Sequence, residues 1–423
     1  MSAFDAGLSH FDFPGGFCVE YLERLTEPGA WEEYYEDCAG REYITKRELA
    51  KLRRLIDSGA YREPLAGWLS GGDFPCAQRR IINKMGSEKK RVVYTFGDAE
   101  NHILKAIARH LHRYDTVFAP NLFSFRVNSG VRKAVAYLTR RPGLAAKCAY
   151  KLDIHDYFNS VNVDLMVPMV REVLSEEPLL CRLIEQILRN PRVWCDGALV
   201  EETKGIMAGI PLSSFLANLY LSDLDRRMYE AGALYARYSD DIIVFADSEE
   251  ELARYRAEIT GTLADRGLAV NPKKVSQTAA HEPWTFLGIT FRDGVLDVSE
   301  ASVRKLKGKM RRRARKLYRW KSRSHATDER AIRAYIRHFN AKFYDNHAEN
   351  ELTWARWFFP VITTADSLAV LDRYMVECIR YIATGRHSKA NYRLRYETIK
   401  QYGFRSLVHE YWLGREEEEP TVG

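Results

Sequence analysis

The chain has 423 residues, 46% hydrophobic and 29% charged, which is long enough for more than one domain and ordinary for a soluble globular protein. The net charge of +7 is modest, no apolar run approaches the roughly 20 residues of a membrane span, and the acidic N-terminus argues against a signal peptide. The seven cysteines are odd in number and lack CxxC spacing, which argues against a disulfide framework and a zinc site. We therefore expect a cytoplasmic protein without a membrane partner.

The first 70 residues contain clustered acidic and aromatic side chains, as in WEEYYEDCAGREY, without a recognisable functional motif. It continues with a helical pattern, TKRELAKLRRLIDSG, that ends at a glycine. The next part is basic. There QRRIINKMGSEKKRVVYTF predicts two strands joined by a cationic loop, and ENHILKAIARHLHRY predicts a helix.

Between residues 148 and 290, short β-rich runs alternate with helical runs, which predicts a layered α/β or α+β domain. The segment AYKLDIHDYFNSVN predicts a strand that ends at Asp153, followed by a helix near Asp156 to Asn162. The segment LYARYSDDIIVFADS predicts a β-hairpin, because apolar strand formers flank a Ser-Asp turn. Asp240 and Asp241 lie at the tip of this hairpin.

Two adjacent carboxylates repel each other unless a cation neutralises them, and an oxygen-preferring divalent cation such as Mg²⁺ is the usual solution. For Asp240 and Asp241 alone, an acidic solvent-exposed turn is the competing interpretation. Asp153 lies where active sites of layered folds form, although an exposed strand end would explain it equally well. Together the three could bind two metal ions that activate an attacking hydroxyl and stabilise a leaving oxygen at phosphorus. This pattern predicts a polymerase or nuclease site.

A strongly basic helix is predicted after the layered domain. Twelve of the twenty residues from Arg304 to Arg323 are Lys or Arg and none is acidic, so the rest of the chain sums to 7 − 12 = −5. Apolar residues recur along the run at helical spacing, at Leu306, Met310, Leu317 and Trp320. A solvated charged face is the alternative, but uncompensated like charges favour an anionic partner such as a nucleic acid backbone.

In their order along residues 80 to 290, these segments resemble the reverse transcriptases. KLDIHDYFNS, GIPLSSFLANLYLSDLD and YSDD look like the first three palm motifs, LAVNPKKV and FLGITF like the fourth and fifth, and KKRVV and LFSFRVNSGVRKA like the preceding fingers motifs. The resemblance implies an α+β right-hand polymerase fold. Its parts would be an N-terminal extension (1–70), fingers (71–147), a palm with inserted fingers elements (148–297), a basic helical thumb (298–345) and a helical C-terminal extension with an acidic tail (346–423).

The resemblance also implies roles for single residues. Asp153, Asp240 and Asp241 would bind two Mg²⁺ ions, with Mn²⁺ as a substitute, and Lys274 would protonate the leaving pyrophosphate. Lys89 and Arg91 would bind the triphosphate, and Phe158 would exclude a 2′-hydroxyl and so select deoxynucleoside triphosphates. Gly209 and Ser213 would lie beside the nucleotide. Contacts to nucleic acid would come from Arg126, Lys309, Arg312, Arg313, Arg315, Lys316 and Arg319.

Each of these roles has a simpler alternative in the residues themselves. Lys89 and Arg91 could be surface loop charges, Phe158 a core residue beside Tyr157, and Lys274 a solvated lysine. One departure from the family pattern is clear: Met207, Ala208 and Gly209 replace the common Pro-Gln-Gly, so the glutamine that helps seat the template base pair is missing. Unusual accuracy or template choice is therefore expected.

The helical C-terminal extension resembles that of bacterial "unknown group" reverse transcriptases associated with antiphage defence, such as their class 2, which are related to group II intron, retron and abortive-infection enzymes. The aromatic residues Trp354, Trp357, Phe358 and Phe359 fit either a helical core or stacking on RNA bases. The last residues, GREEEEPTVG, predict a disordered acidic tail.

The expected activity is synthesis of cDNA on a dedicated noncoding RNA in antiphage defence. A maturase-like RNA-binding protein and a template-independent or protein-primed nucleotidyl transferase are the alternatives.

Overall fold

A computed structural model describes residues 20–41, 44–83, 90–345, 353–386 and 393–418 of the chain. Lys89 and the end of the predicted acidic tail lie outside the described residues. Helices and strands alternate in the central region and helices dominate both ends, so the predicted α+β class is confirmed. None of the described helices combines the length and hydrophobicity needed to cross a bilayer.

The strands lie in three sheets. They are β1 (Gln78–Asn83), β2 (Lys90–Thr95), β3 (Cys148–Asp153), β4 (Arg192–Cys195), β5 (Ala198–Glu201), β6 (Leu234–Tyr238), β7 (Asp241–Ala246), β8 (Ser276–Thr278), β9 (Trp284–Phe286), β10 (Ile289–Arg292) and β11 (Val295–Val298). The sheet orders are β2-β1-β4-β5, β6-β7-β3-β8 and β11-β10-β9.

The helices cover these sheets and form both ends of the described chain. They are α1 (Tyr21–Arg24), α2 (Pro28–Ala39), α3 (Lys46–Ser58), α4 (Arg62–Leu69), α5 (Asp98–His110), α6 (Val131–Thr139), α7 (Tyr157–Ser160), α8 (Val163–Val173), α9 (Pro178–Arg189), α10 (Ser213–Tyr220), α11 (Ser222–Glu230), α12 (Glu249–Asp265), α13 (Glu300–Ser324), α14 (Asp328–Asn340), α15 (Trp354–Phe358), α16 (Asp366–Thr384), α17 (Tyr396–Gln401) and α18 (Leu407–Glu418).

Local signals explain where the predicted N-terminal helix begins and ends. The hydroxyl of Thr45 accepts a hydrogen bond from the backbone N–H of Glu48, which satisfies one of the free donors at the start of α3. Gly59 ends the helix with φ +64°, a left-handed conformation that glycine adopts at little cost. The predicted helix is therefore confirmed, as is the predicted strand pair β1–β2.

The sheet β6-β7-β3-β8 divides the hydrophobic interior into two cores. Along β7, Ile242 and Val244 face the core shared with helices α8 to α12, whereas Ile243 and Phe245 face the core shared with β9–β11 and the C-terminal helices. Both faces are apolar because the strand is covered on both sides, and successive side chains point to opposite faces. This continuous burial fixes the register of the strand that begins at Asp241.

The predicted basic helix is present as α13, although it begins at Glu300 and includes a short acidic start. Leu306, Met310, Ala314 and Leu317 form its buried stripe, which packs against α16 and α14. Trp320, predicted to belong to the stripe, is half-buried at its edge, where the Arg330 guanidinium lies 5.7 Å from its ring. The basic side chains occupy the remaining faces of the helix.

The prediction of a disordered tail is wrong for its first residues. The helix α18 continues through Gly414 to Glu418 because its start is firmly anchored. Asp372 on α16 accepts hydrogen bonds from the backbone N–H groups of Leu407 and Val408 at 2.9 and 3.1 Å, so it acts as an N-terminal cap supplied by another helix.

The predicted domain limits stay a prediction, but the sheet topology has one feature that bears on them. The β4–β5 hairpin comes after the first palm motif in sequence, yet β4 pairs with β1 in the sheet that contains the predicted fingers strands. The predicted fingers therefore draw on two separate parts of the chain.

Candidate active site

Strand pairing brings the three predicted carboxylates together. Antiparallel pairing of β3 with β7 sets Asp153 directly opposite Asp241, and the backbone N–H of Ile154 donates to the carbonyl of Asp240 at 3.0 Å. One carboxylate oxygen from each of Asp153, Asp240 and Asp241 lies within 4.8 Å of the other two. Among the described residues, this is the group of acidic, His or Cys side chains with the geometry of a metal site.

Asp153 is buried and Asp240 and Asp241 are partly buried, and the pKa values of the latter two are shifted. Asp153 is only 3% exposed. Burial, together with repulsion from Asp240 and Asp153, raises the pKa of Asp241 to about 6. Burial and the charge of Asp153 also raise the pKa of Asp240 above its usual value. Crowded, partly desolvated carboxylates of this kind are typical of sites that take up a cation.

Lys274 and Asn271 contact Asp153 from the short 3₁₀ helix Pro272–Lys274 and the residue before it. The Lys274 ammonium donates to one carboxylate oxygen of Asp153, and the Asn271 amide donates to the other at 3.1 Å. Although partial burial opposes its charge, the hydrogen bond to Asp153 raises the pKa of Lys274. Lys274 is 46% exposed, so it is both an ion-pair partner of the site and accessible to solvent.

The donor set fits an oxygen-preferring divalent cation. Three carboxylates supply only oxygen ligands, which suits Mg²⁺ or Mn²⁺ and does not suit the thiolate and imidazole sites of zinc. Lys274 contacts Asp153 and supplies one positive charge. The nearby Lys151 is half-buried, and this burial lowers its pKa. A bound cation would therefore relieve the repulsion that raises the pKa values of Asp240 and Asp241.

Sequence reasoning missed Asn271, which makes two bonds to Asp153. Besides the side-chain bond, its backbone N–H donates to the Asp153 carbonyl at 2.8 Å, so this residue joins the fourth motif to the end of β3. The Asn-Pro pair before Lys273 and Lys274 was the available signal, because an asparagine there orders the following turn.

Two aromatic residues, Tyr157 and Phe158, lie in α7, four and five positions after Asp153 in the chain. Tyr157 is the core member of the Tyr157–Phe158 pair, since it is buried and its hydroxyl donates to the Ala217 carbonyl at 2.6 Å. Phe158 is only partly buried and meets Phe125 edge to face at 6.4 Å. Phe158 is therefore more accessible than Tyr157, and its predicted role in sugar selection stays a prediction.

The Met207–Gly209 loop packs against the predicted fingers strand β2. The backbone N–H of Tyr94 donates to the Ala208 carbonyl at 2.9 Å. Gly209 has φ +105°, and a Cβ there would lie 3.1 Å from the Tyr94 carbonyl oxygen, so glycine suits both the conformation and the close approach. A cavity of about 500 Å³ beside this loop is lined by Arg80, Thr95, Phe96, Asp98, Asn101, Lys105, Gly209 and Pro211.

Two predicted ligand contacts have internal partners instead. Ser213 is 1% exposed and its hydroxyl donates to the backbone carbonyls of Ile206 and Met207, so its observed contacts order the loop rather than face the nucleotide. Arg126 donates to the carbonyls of Ala119 and Leu122, and to that of Asp115. Its observed contacts therefore hold the fingers loop and leave the guanidinium little freedom to reach a phosphate.

The other described basic residues with predicted roles differ in how exposed they are, and those roles stay predictions. Arg91 is exposed on β2 near the hairpin end. On α13 the exposed members are Arg312, Arg315, Lys316 and Arg319. Lys309 and Arg313 are half-buried, and the Arg313 Nε lies buried without a hydrogen bond. The exposed face of α13 is therefore the part of this helix best placed to meet phosphates.

Comparison with known proteins identifies relatives of this chain. Residues 82–291 match the family described as "Reverse transcriptase (RNA-dependent DNA polymerase)". The retron Ec86 reverse transcriptase of Escherichia coli is 23% identical over 235 residues, which are 54% of this chain and 67% of that protein. The retron Ec48 reverse transcriptase of Escherichia coli is 24% identical over 196 residues, which are 44% of this chain and 45% of that protein.

Among solved structures, apo telomerase of Candida tropicalis is similar to this chain with a TM-score of 0.45, 12% identity and coverage of 84% of this chain and 66% of that one. A form of that telomerase truncated from its C-terminal domain gives a TM-score of 0.44 and 14% identity, over 57% of this chain and 60% of that one.

We predict that the free energy of unfolding of the metal-free protein depends on pH through Asp241. Its pKa of about 6 in the folded chain exceeds the ordinary value of 3.8, so between these values the folded state binds more protons and stability falls as pH rises. The loss is up to about 3 kcal/mol by pH 7.5. In EDTA, Asp241→Asn should therefore be more stable than wild type at pH 7.5 and similar to it at pH 4.

Thermal or chemical unfolding in EDTA at the two pH values checks this prediction. The control is Asp196→Asn, which changes an exposed aspartate on the β4–β5 turn. Addition of Mg²⁺ at pH 7.5 should stabilise wild type more than Asp241→Asn. An equal stability difference between wild type and Asp241→Asn at both pH values would contradict the assigned repulsion.

Proposed function

Residues 82–291 belong to the reverse transcriptase family, and from this premise we propose that the protein is a Mg²⁺-dependent RNA-directed DNA polymerase that copies a dedicated noncoding RNA into cDNA. The observation that carries the proposal is the convergence of Asp153, Asp240 and Asp241 within 4.8 Å, beside Lys274. We assign the activity to bacterial antiphage defence on the resemblance of the C-terminal extension. The activity of the whole protein, its template and its partners are part of the proposal.

In the proposed reaction, the 3′-oxygen of the growing strand forms a bond to the α-phosphorus of the nucleotide as the bond to pyrophosphate breaks. Asp153, Asp240 and Asp241 would hold the divalent cations, which when bound lower the pKa of the attacking hydroxyl and stabilise the leaving oxygens. The closeness of the three carboxylates supports this role, because a site of this charge lacks sufficient compensation without a cation.

Lys274 is the proposed proton donor to pyrophosphate. Its raised pKa keeps it protonated at neutral pH, and its exposed fraction leaves it accessible to a bound nucleotide. Lys274 would exchange its contact with Asp153 for one with the leaving group when Asp153 holds a cation. Arg91, exposed on β2, is the proposed bidentate contact to the triphosphate.

Substitution of either hairpin carboxylate should abolish polymerisation. In primer extension on RNA with deoxynucleotides and Mg²⁺, Asp240→Asn and Asp241→Asn should each lose roughly a hundredfold or more of the wild-type rate, because each variant removes a cation ligand at the reacting phosphate. The control Asp196→Asn should retain the wild-type rate.

Product sequencing separates the outcomes of this experiment. A copy of the supplied RNA supports templated polymerisation, whereas random or homopolymeric DNA would assign the chain to template-independent transfer. Wild-type rates in both hairpin variants would refute the catalytic assignment and favour an RNA-binding role.

Phe158 should control the choice of sugar. Its partly buried ring beside Phe125 is proposed to block a 2′-hydroxyl, so Phe158→Ala should lower the preference for deoxynucleotides over ribonucleotides at least about tenfold, in line with loss of a steric contact. Ratios of kcat/KM for the two nucleotide classes measure this preference. Phe359→Ala, a partly buried aromatic of the C-terminal extension, is the control, and an unchanged ratio in Phe158→Ala would contradict the role.

The exposed face of α13 should contact the phosphate backbone of the template–product duplex. Arg315→Ala with Arg319→Ala should weaken duplex binding for all sequences and reduce the slope of log K against log salt by roughly one for each lost phosphate contact. Binding titrations between 50 and 200 mM salt, a range chosen for its effect on screening, measure the slope. Arg254→Ala with Arg256→Ala removes the same charge from exposed positions on α12 and should leave the slope unchanged.

A further inference from the structure

The turn that presents the hairpin carboxylates is built around a strained residue. Ser239 lies between Tyr238 and Asp240, is 6% exposed and has φ +60°, in the left-handed region that non-glycine residues rarely adopt. Such a conformation persists only where its surroundings enforce it. The groups that enforce it at Ser239 therefore also set the direction in which Asp240 leaves the turn.

Two buried side chains hold both backbone groups of Ser239. The hydroxyl oxygen of Ser124 accepts a hydrogen bond from the Ser239 N–H at 2.9 Å. On the other side, the Arg237 guanidinium donates to the Ser239 carbonyl at 3.3 Å. Ser124 and Arg237 are both fully buried, so water does not compete for these bonds.

The Ser124 hydroxyl is itself oriented by Asn218 on α10. It donates its proton to the Asn218 Oδ1 at 2.9 Å, and the Asn218 Nδ2 donates to the Ser124 carbonyl at 2.8 Å. A hydroxyl has one proton and two lone pairs, so with its proton committed to Asn218 it presents only acceptor capacity to Ser239. Ser124 thus connects the fingers loop, α10 and the carboxylate turn.

Arg237 is fixed by a second set of buried contacts. Its guanidinium pairs with Asp225, and both side chains are completely buried. The Tyr235 hydroxyl donates to the same Asp225 carboxylate at 2.9 Å, while a further guanidinium N–H donates to the Asn218 carbonyl at 2.9 Å. Because several contacts fix the guanidinium, it stays in place and restrains the Ser239 carbonyl to which it donates a hydrogen bond.

We propose that Ser124 is a positioning residue for nucleotidyl transfer: it keeps Ser239 in the left-handed conformation so that Asp240 and Asp241 meet Asp153 at cation-binding distance. Ser124 acts through the backbone of the turn and contacts neither substrate nor cation. The inference rests on the proposed function for its catalytic consequence. Its structural part, control of the turn, does not depend on which reaction the carboxylates catalyse.

The proposal distinguishes Ser124 from an ordinary buried serine. A role in stability alone would lower the melting temperature of Ser124→Ala without changing cation binding, and the loss would be the same whatever residue occupies position 239. Control of the turn makes a different prediction. Glycine at position 239 adopts φ +60° without strain, so Ser239→Gly should make the turn less dependent on Ser124.

The experiment compares wild type, Ser124→Ala, Ser239→Gly and the double variant. Hydrogen–deuterium exchange of the peptide covering residues 234–246, Mn²⁺ binding by electron paramagnetic resonance, and primer extension are measured on each. We expect Ser124→Ala to increase exchange in this peptide, weaken Mn²⁺ binding and slow primer extension at least tenfold. The same substitution in the Ser239→Gly background should have a smaller effect on all three.

Ser222→Ala is the matched control, because Ser222 is also buried but its hydroxyl donates to the Leu219 carbonyl, away from the turn. It should leave exchange of the 234–246 peptide and Mn²⁺ binding unchanged. If Ser124→Ala fails to fold, Ser124→Thr replaces it: a retained hydroxyl should preserve Mn²⁺ binding and extension, and loss of Mn²⁺ binding in a folded Ser124→Thr protein would overturn the proposal.

Failure of this inference is separable from failure of the proposed function. A folded Ser124→Ala protein with wild-type exchange and wild-type Mn²⁺ binding overturns the positioning role even if the wild-type protein is an active polymerase. If wild type extends no primer, the proposed function fails, while exchange and Mn²⁺ binding still decide whether Ser124 controls the turn.

Discussion

The structure depends on holding three acidic side chains together in a partly buried place. Ionised carboxylates repel one another, and this repulsion contributes to the raised pKa values of Asp240 and Asp241. Without restraint from the backbone, the three side chains would move apart. Two apolar cores, one on each face of the sheet, prevent this by fixing the register of β3 and β7. Repulsion among the carboxylates therefore destabilises the fold, and burial of apolar side chains in the two cores offsets this destabilisation.

The groups around the carboxylates divide into those that compensate charge and those that restrain backbone. Lys274 and Asn271 donate hydrogen bonds to the Asp153 carboxylate and so partly compensate its negative charge. The carboxylate can still bind a cation. Arg237 is also cationic, but its charge is balanced by Asp225, with which it forms a fully buried ion pair. Arg237 therefore positions the hairpin turn but does not neutralise Asp240 or Asp241. These carboxylates still require a bound cation to balance their charge.

The sequence predicted those parts of the molecule that local pattern determines. Periodicity and turn chemistry predict three elements: the hairpin that presents Asp240 and Asp241, the strand ending at Asp153, and the basic helix α13. All three are present. It could not predict that the Ser213 hydroxyl faces its own loop, because a motif specifies residue type and not the direction of a side chain. Ser124 was missed for a related reason: its partners Asn218 and Ser239 lie about a hundred residues away, and no local signal marks such contacts.

The β4–β5 hairpin has a consequence for the way this chain is made. Arg79 on β1 and Cys195 on β4 are 116 residues apart yet in contact, so the sheet that carries the exposed Arg91 cannot be completed until that intervening stretch has left the ribosome. Contacts this distant in sequence form slowly because the loop between them must close first. Until β4 has been synthesised, the β1–β2 ribbon therefore keeps the edge of β1 unpaired.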